Sequence, residues 1–281
     1  MKFVTGYSEN IKNIARLGKL TTNQSPRNFN ELKKSYNHYL KTYQPECLDE
    51  NSANPQLRVI NDNTIKNRLI NLFSIKSNLN DLSQDNLINN PDASFDVVYV
   101  EKFNEALNLI KKTDLELFDL LNLAFNYCFF AGSSKAAGGS TSSALGVLWM
   151  NPKLSWTQFD YVELMVHELT HQLLFIDERN YRHYLSYDLM NQKEYFAHST
   201  ILKKSRPLDK VIHSFFVGLN LVLFRQALDI QNHDITLHPQ SNVIIDSLKR
   251  TLDSLTQVHF QIFSPRILTL LNSSTEIVRS F

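Results

Sequence analysis

"VELMVHELTHQLLF", residues 162–175, sets two histidines four residues apart, with a glutamate directly after the first, inside an otherwise apolar run. Phe159, Val162, Met165, Val166, Leu169, Leu173 and Ile176 recur at intervals of three and four, the stripe of a helix packed against a core. His167 and His171 fall one turn apart on another side of that helix, and Glu163 precedes them by one turn. Ser155 and Gln158 have capping-box spacing, so the helix is expected to begin at "SWTQ" (155–158). Just before it, "ALGVLWM" (144–150) is short, apolar and closed by Asn-Pro, which predicts a buried strand.

Working outward, "AGSSKAAGGSTSS" (131–143) is too small and polar to fill a core, and is expected to be a loop bordering a cleft or a plain connector. "RPLDKVIHSFFVGLNLVLF" (206–224) predicts a long apolar helix with Pro207 in its first turn. "FDVVYVEKFNEALNLIKK" (95–112) follows a turn, and Thr113 is placed to cap a helix over "DLELFDLLNL". Earlier, "NFNELKKSYNHYLKTY" (28–43) and "TIKNRLINLFSI" (64–75) have helical periodicity, and the tail 241–281 offers two amphipathic pieces. The expected fold is mainly α with a small β component (α+β), its His-bearing helix beside a short strand and a long buried helix. One domain spanning 1–281 is expected, a polar helical part (1–94) preceding a metal-binding catalytic core (95–281).

The bulk chemistry narrows the function. A net charge of +1, with both signs mixed along the chain, argues against binding nucleic acid through phosphates. No segment approaches the roughly 20 apolar residues needed to span a bilayer, and the first residues carry no secretion signal. Cys47 and Cys128 are the two cysteines, too few for a disulfide framework or a four-cysteine metal site. A cytoplasmic protein acting without membrane or nucleic acid is the expectation.

His-Glu-x-x-His on a helix has a specific use. One turn brings both imidazoles to a single metal ion, and Glu168, about 100° around the helix, lies beside that ion, where it can act on a bound water or hydrogen-bond a ligand. The bland readings are a chance pentad or two satisfied core histidines. The motif supplies two ligands, and a catalytic site needs a third with a position left open. Three residues downstream are candidates: Glu194 and His198 in "NQKEYFAHST", which share a face if that stretch is helical, and His213, set among Leu208, Val211, Ile212, Phe215 and Phe216. A histidine in so apolar a helix needs a hydrogen-bond partner or a metal.

Three blocks, covering about residues 140–225, resemble the HExxH-motif peptide-modification proteins found with ribosomally made peptides. They are "ALGVLWMNP", "LMVHELTHQLLF" and "AHSTILKKSRPLDKVIHSFFVGLNLV". The third is similar to that family's Ser-containing turn, Arg-Pro-Leu and a helix with a polar residue five positions after the Leu, where His213 stands. Some members are iron(II)- and 2-oxoglutarate-dependent peptide β-hydroxylases. The resemblance implies His167, His171 and His213 as metal ligands, Glu168 as an acid–base group or a partner to the ligands, and a precursor peptide as substrate. Lys203 and Lys204 stand near the place of a basic residue often found in the Ser-containing turn.

Arginine suits the distal carboxylate of 2-oxoglutarate because its planar fork pairs bidentately. Arg206, seven residues before His213, would lie about two turns or roughly 10 Å along the helix axis on the same face. A solvated residue at the helix start is the competing reading, and Arg179, Arg182 and Arg225 are the reserves. Ligand chemistry alone leaves the metal open. Iron of this kind usually sits on two histidines and a carboxylate, a set that Glu194 would complete, whereas three histidines are familiar for zinc. The alternative function is therefore a zinc metallopeptidase in which Glu168 takes a proton from metal-bound water.

Overall fold

The computed structural model describes residues 5–23, 25–48, 56–73, 87–91, 93–228 and 235–281. It is mostly helical with a small mixed sheet, as the periodicities imply. Helices α1 (Tyr7–Thr22), α2 (Phe29–Tyr43) and α3 (Asn63–Leu72) come first, with strand β1 (Arg58–Val59) between the last two. Helices α4 (Val97–Thr113) and α5 (Leu115–Ala124) lead to β2 (Tyr127–Phe130), β3 (Gly138–Gly139) and β4 (Val147–Met150). Helix α6 (Gln158–Asn180) carries the histidine pair. A two-stranded hairpin, β5 (Ala197–His198) and β6 (Ser205–Arg206), precedes α7 (Leu208–Ala227). Then α8 (Ser241–Ser254), the one-turn α9 (Gln257–Phe260) and α10 (Pro265–Arg279) close the chain.

The main sheet has the order β1-β2-β4-β3, with the first three strands parallel and β3 antiparallel. Strands β2 and β4 are buried throughout, which is why "ALGVLWM" reads as continuous apolar sequence rather than as an alternation. The 131–143 stretch is a loop except at Gly138 and Gly139, which form β3. A Cβ at Gly138 would stand 2.6 Å from the Trp149 carbonyl and 2.9 Å from a Leu164 methyl, so only glycine lets this strand lie so close to β4 and α6.

Helix ends follow local hydrogen-bond chemistry more closely than residue spacing. Helix α6 starts two residues later than expected, because Thr157 and Asp160 form the reciprocal box: the Thr157 hydroxyl accepts from the Asp160 amide, and Asp160 accepts from the Thr157 amide. Asp114, not Thr113, caps α5, since its carboxylate accepts from the Leu117 amide while the Thr113 hydroxyl turns back to the Leu109 carbonyl in α4. Pro207 is the N-cap of α7 rather than part of its first turn. Helix α1, which the sequence reading did not assign, buries Asn10, Asn13 and Gly18 beside Ile14 and Leu17. Residues 74–75, at the end of the expected 64–75 helix, lie outside the described residues.

Helix α6 is the axis of the fold, roughly 34 Å long by helical rise, and it packs against α1, α4, α5 and α7. Its partner α7 runs antiparallel. Arg225 meets Glu163, Asn220 donates to Thr170 at 2.9 Å, and His213 meets His171, so residues rising along one helix face residues descending along the other. Among the described residues no helix is long and apolar enough to cross a membrane.

Candidate metal centre

Along α6 the side chains are buried nearly all round; His167, His171, Phe175 and Glu178 break the pattern at successive turns. Residues at that spacing share one face, and this face forms a wall of a cavity of about 1020 Å³. His213 and Lys210 of α7, together with Arg206, Ser140 and His238, also line it.

Four imidazoles stand in a row on this surface. His171 Nδ1 is 2.9 Å from His213 Nδ1, with rings stacked at 5.2 Å. The rings of His167 and His171 are 5.1 Å apart. On the far side, His167 Nδ1 is 2.9 Å from Nε2 of His238, a residue no sequence signal singled out. His213 is thus brought to the motif, as the resemblance implies. The other two candidates are not. Glu194 sits exposed in a 3-10 turn (Lys193–Tyr195), and His198 lies in β5 with its ring on the Ser247 hydroxyl at 3.1 Å; neither borders the cavity. Because that stretch is a turn and a strand, the two share no helical face.

Burial pushes the His167, His171 and His213 rings well below the ordinary imidazole range, with neighbouring histidines and, for His171 and His213, Lys210 adding to the effect. Neutral rings are the form that binds metal. Glu168 is shifted the other way. Burial raises its carboxyl to about 8 against the opposing pull of Ser140, whose hydroxyl donates to Oε2 at 2.9 Å. Its other oxygen is 3.8 Å from His167 Nε2. Ser140 reaches this place because Gly138 and Gly139 seat β3 directly on α6.

The β5–β6 hairpin supplies the cationic rim. Its turn passes through Lys203, which is left-handed at φ 51°, and it is pinned to α7 where Ser199 and the Ile201 amide both donate to the Ser214 hydroxyl. Arg206 therefore enters the cavity from a strand, not from a helical face two turns before His213. Lys203 and Lys204 lie exposed at the turn, outside the lining. Of the reserve arginines, Arg179 borders the cavity, Arg182 donates to the Tyr184 and Leu185 carbonyls, and Arg225 is buried against Glu163.

The donor set fits a metal ion in composition. Two nitrogens bound side by side at about 2.1 Å each stand roughly 3 Å apart, close to the separation within each histidine pair. Among the described residues, however, no three His, Cys, Asp or Glu side chains converge on one point. His171 and His213 are joined nitrogen to nitrogen instead, so binding an ion between them would exchange that contact for metal bonds. No protein-family model matches the chain, and no curated protein matches it.

Proposed function

We propose that the chain is an iron(II)- and 2-oxoglutarate-dependent oxygenase that hydroxylates a side-chain β-carbon of a ribosomally made precursor peptide. The observation that carries this reading is the meeting of His213 with His171 at 2.9 Å on a wall shared with Arg206 and Lys210. His167, His171 and His213 would hold the metal, leaving positions for cosubstrate and oxygen. When bound, iron(II) would activate dioxygen, the oxidant, with 2-oxoglutarate as the co-reductant that leaves as succinate and carbon dioxide while the other oxygen atom goes to the peptide.

The chain's own residues do the rest. Arg206 binds the distal carboxylate through its planar fork. Glu168 keeps a proton beside His167, held in place by Ser140. The Gly/Ser strap from Lys135 to Ser143 covers one side of the cavity, and a volume of about 1020 Å³ holds a dicarboxylate together with one peptide side chain. A zinc metallopeptidase is the second reading. The all-imidazole set favours it on ligand chemistry, and Glu168 would then serve as the base toward metal-bound water.

Protein reconstituted anaerobically with iron(II) and given 2-oxoglutarate should develop the visible charge-transfer band of the chelated cosubstrate. It should release succinate only when oxygen is admitted, and Arg206→Ala should weaken the band. An unchanged spectrum, together with cleavage of peptide bonds by the zinc-loaded protein, would transfer the chain to the peptidases.

A further inference from the structure

Behind His167 lies a chain of buried polar contacts that the metal reading does not use. Arg225 Nε donates to Glu163 Oε1 at 2.7 Å, and its Nη2 is 2.6 Å from the same oxygen. The second oxygen of Glu163 is 3.0 Å from His238 Nδ1, and His238 Nε2 is 2.9 Å from His167 Nδ1. Glu163 is completely buried, and the Arg225 and His238 side chains are nearly so. The segment bearing His238 is clamped on both sides. The Thr236 and Leu237 amides donate to Asp160 Oδ1 at 2.7 and 2.9 Å, and Arg225 Nη1 donates to the Pro239 carbonyl at 2.7 Å.

The order of protons along this chain follows from what each group can do. A carboxylate facing a guanidinium accepts, so the hydrogen between Glu163 and His238 sits on His238 Nδ1. In a neutral imidazole the other nitrogen then accepts, so His238 Nε2 takes a hydrogen bond from His167. His167 must therefore carry its hydrogen on Nδ1, which leaves the lone pair on Nε2, the nitrogen turned toward Glu168. A ligand histidine whose distal N–H is held by a partner of this kind is fixed in ring orientation and made more basic.

We infer that Arg225, Glu163 and His238 form a positioning relay that sets the tautomer of His167 and presents its Nε2 to a divalent cation. His238 is a positioning residue, not a ligand. The purpose of the relay rests on the metal-centre reading, whereas the proton placement is a property of the protein alone. A glutamine at position 238 can copy the relay, its carbonyl accepting from His167 and its amide donating to Glu163. Alanine cannot.

The test is histidine ¹⁵N NMR of the metal-free protein, with the His167 ring assigned by its loss in His167→Asn, paired with titration of each protein with cobalt(II). In wild type and His238→Gln, His167 should be the Nδ1–H tautomer. In His238→Ala it should become a mixture of the two, and cobalt(II) affinity should fall about 10- to 100-fold, most of it recovered by the glutamine. An Nε2–H tautomer in the wild type would overturn the relay. So would a His238→Gln protein that binds cobalt(II) as poorly as His238→Ala with a changed ligand-field spectrum, because that marks His238 as a ligand. If His167 has the stated tautomer and wild type binds no divalent ion, the relay stands and the metal-centre reading falls.

Discussion

Helix α6 bears two buried groupings of an acid, an imidazole and a guanidinium, and they differ in where their contacts stop. Near its C-terminus Asp177 accepts from His183 Nε2 at 2.8 Å, from Asn13 Nδ2 at 2.7 Å and from Arg266 Nε at 3.0 Å, so that α1, α6 and α10 meet in a sealed cluster. Neither Asp177 nor His183 borders the cavity. In its N-terminal half Glu163 gathers Arg225 and His238, but His238 and the next member, His167, both border the cavity. The same three side-chain types therefore close a circuit at one end and point outward at the other. What a buried charged cluster is for depends on whether its last member has somewhere to go.

The largest effect should come from breaking the sealed end. Asp177→Ala leaves a fully buried imidazole without its hydrogen-bond partner and a half-buried guanidinium without its counter-charge, a loss on the order of 3–5 kcal/mol. Urea denaturation should show it, and the folded fraction should bind cobalt(II) like wild type. His213→Ala should do the reverse, abolishing tight cobalt(II) binding at a stability cost within about 1–2 kcal/mol. If both variants lose stability and metal together, the distinction between the two ends is wrong.

Acid should sharpen the same contrast. Burial by itself would raise the Asp177 carboxyl, but the hydrogen bonds from His183 and Arg266 outweigh it and hold the group below its ordinary range. The stability this contributes is complete above the unfolded value of about 4 and is lost as pH falls through the lower folded value, at about 1.4 kcal/mol per unit of separation. The wild-type stability curve should therefore fall below about pH 4, and the Asp177→Asn curve should lack that part of the fall.

The histidine-bearing half of α6 was legible in the sequence because its signals are local. A histidine pair at four-residue spacing and an apolar stripe need only helical geometry, and β4 needed only a short apolar run. His213 was reached through its apolar surroundings and the resemblance of its block. His238 was not. "ITLHP" has no periodicity, and its value comes from two long-range anchors, Asp160 and Arg225, neither of which announces a partner more than 10 residues away. Glu163 was visible one turn before His167, but its partners were not. Arg206 was expected on the helical face of His213, and it borders the cavity from a strand instead. Helix α1 buries two asparagines and a glycine beside its apolar residues, and that burial depends on what α2, α5 and α6 offer them.

A third buried titratable group extends the comparison, because among the described residues no carboxylate faces it. Lys33 is fully buried in α2 and donates to the Leu123 and Phe125 carbonyls at 3.1 and 2.8 Å, closing the C-terminal end of α5. Burial holds its amine well below the ordinary lysine value. A lysine depressed in this way contributes its stability in full above the unfolded value of about 10.4 and loses it as pH falls toward the folded value. Wild type should therefore gain stability relative to Lys33→Met between pH 7 and about 10, read as the difference between the two denaturation curves. A flat difference would mean that the amine stays charged against the two carbonyls.

The smallest effect is the one that decides the ligand set. Glu194 is exposed in its turn, and nothing brings it to the cavity. Glu194→Gln should therefore change neither cobalt(II) affinity nor stability beyond about 0.5 kcal/mol. His198→Ala should cost about 1 kcal/mol through the bond to Ser247, and metal affinity should again stay level. Both outcomes are near zero, yet they carry weight because the alternative is large. A glutamate ligand removed from a three-ligand site would take tight binding with it, and would turn the centre into two histidines and a carboxylate. A loss at position 194 would thus move the third ligand from α7 to the turn before β5, and the contact between His213 and His171 would then be packing alone.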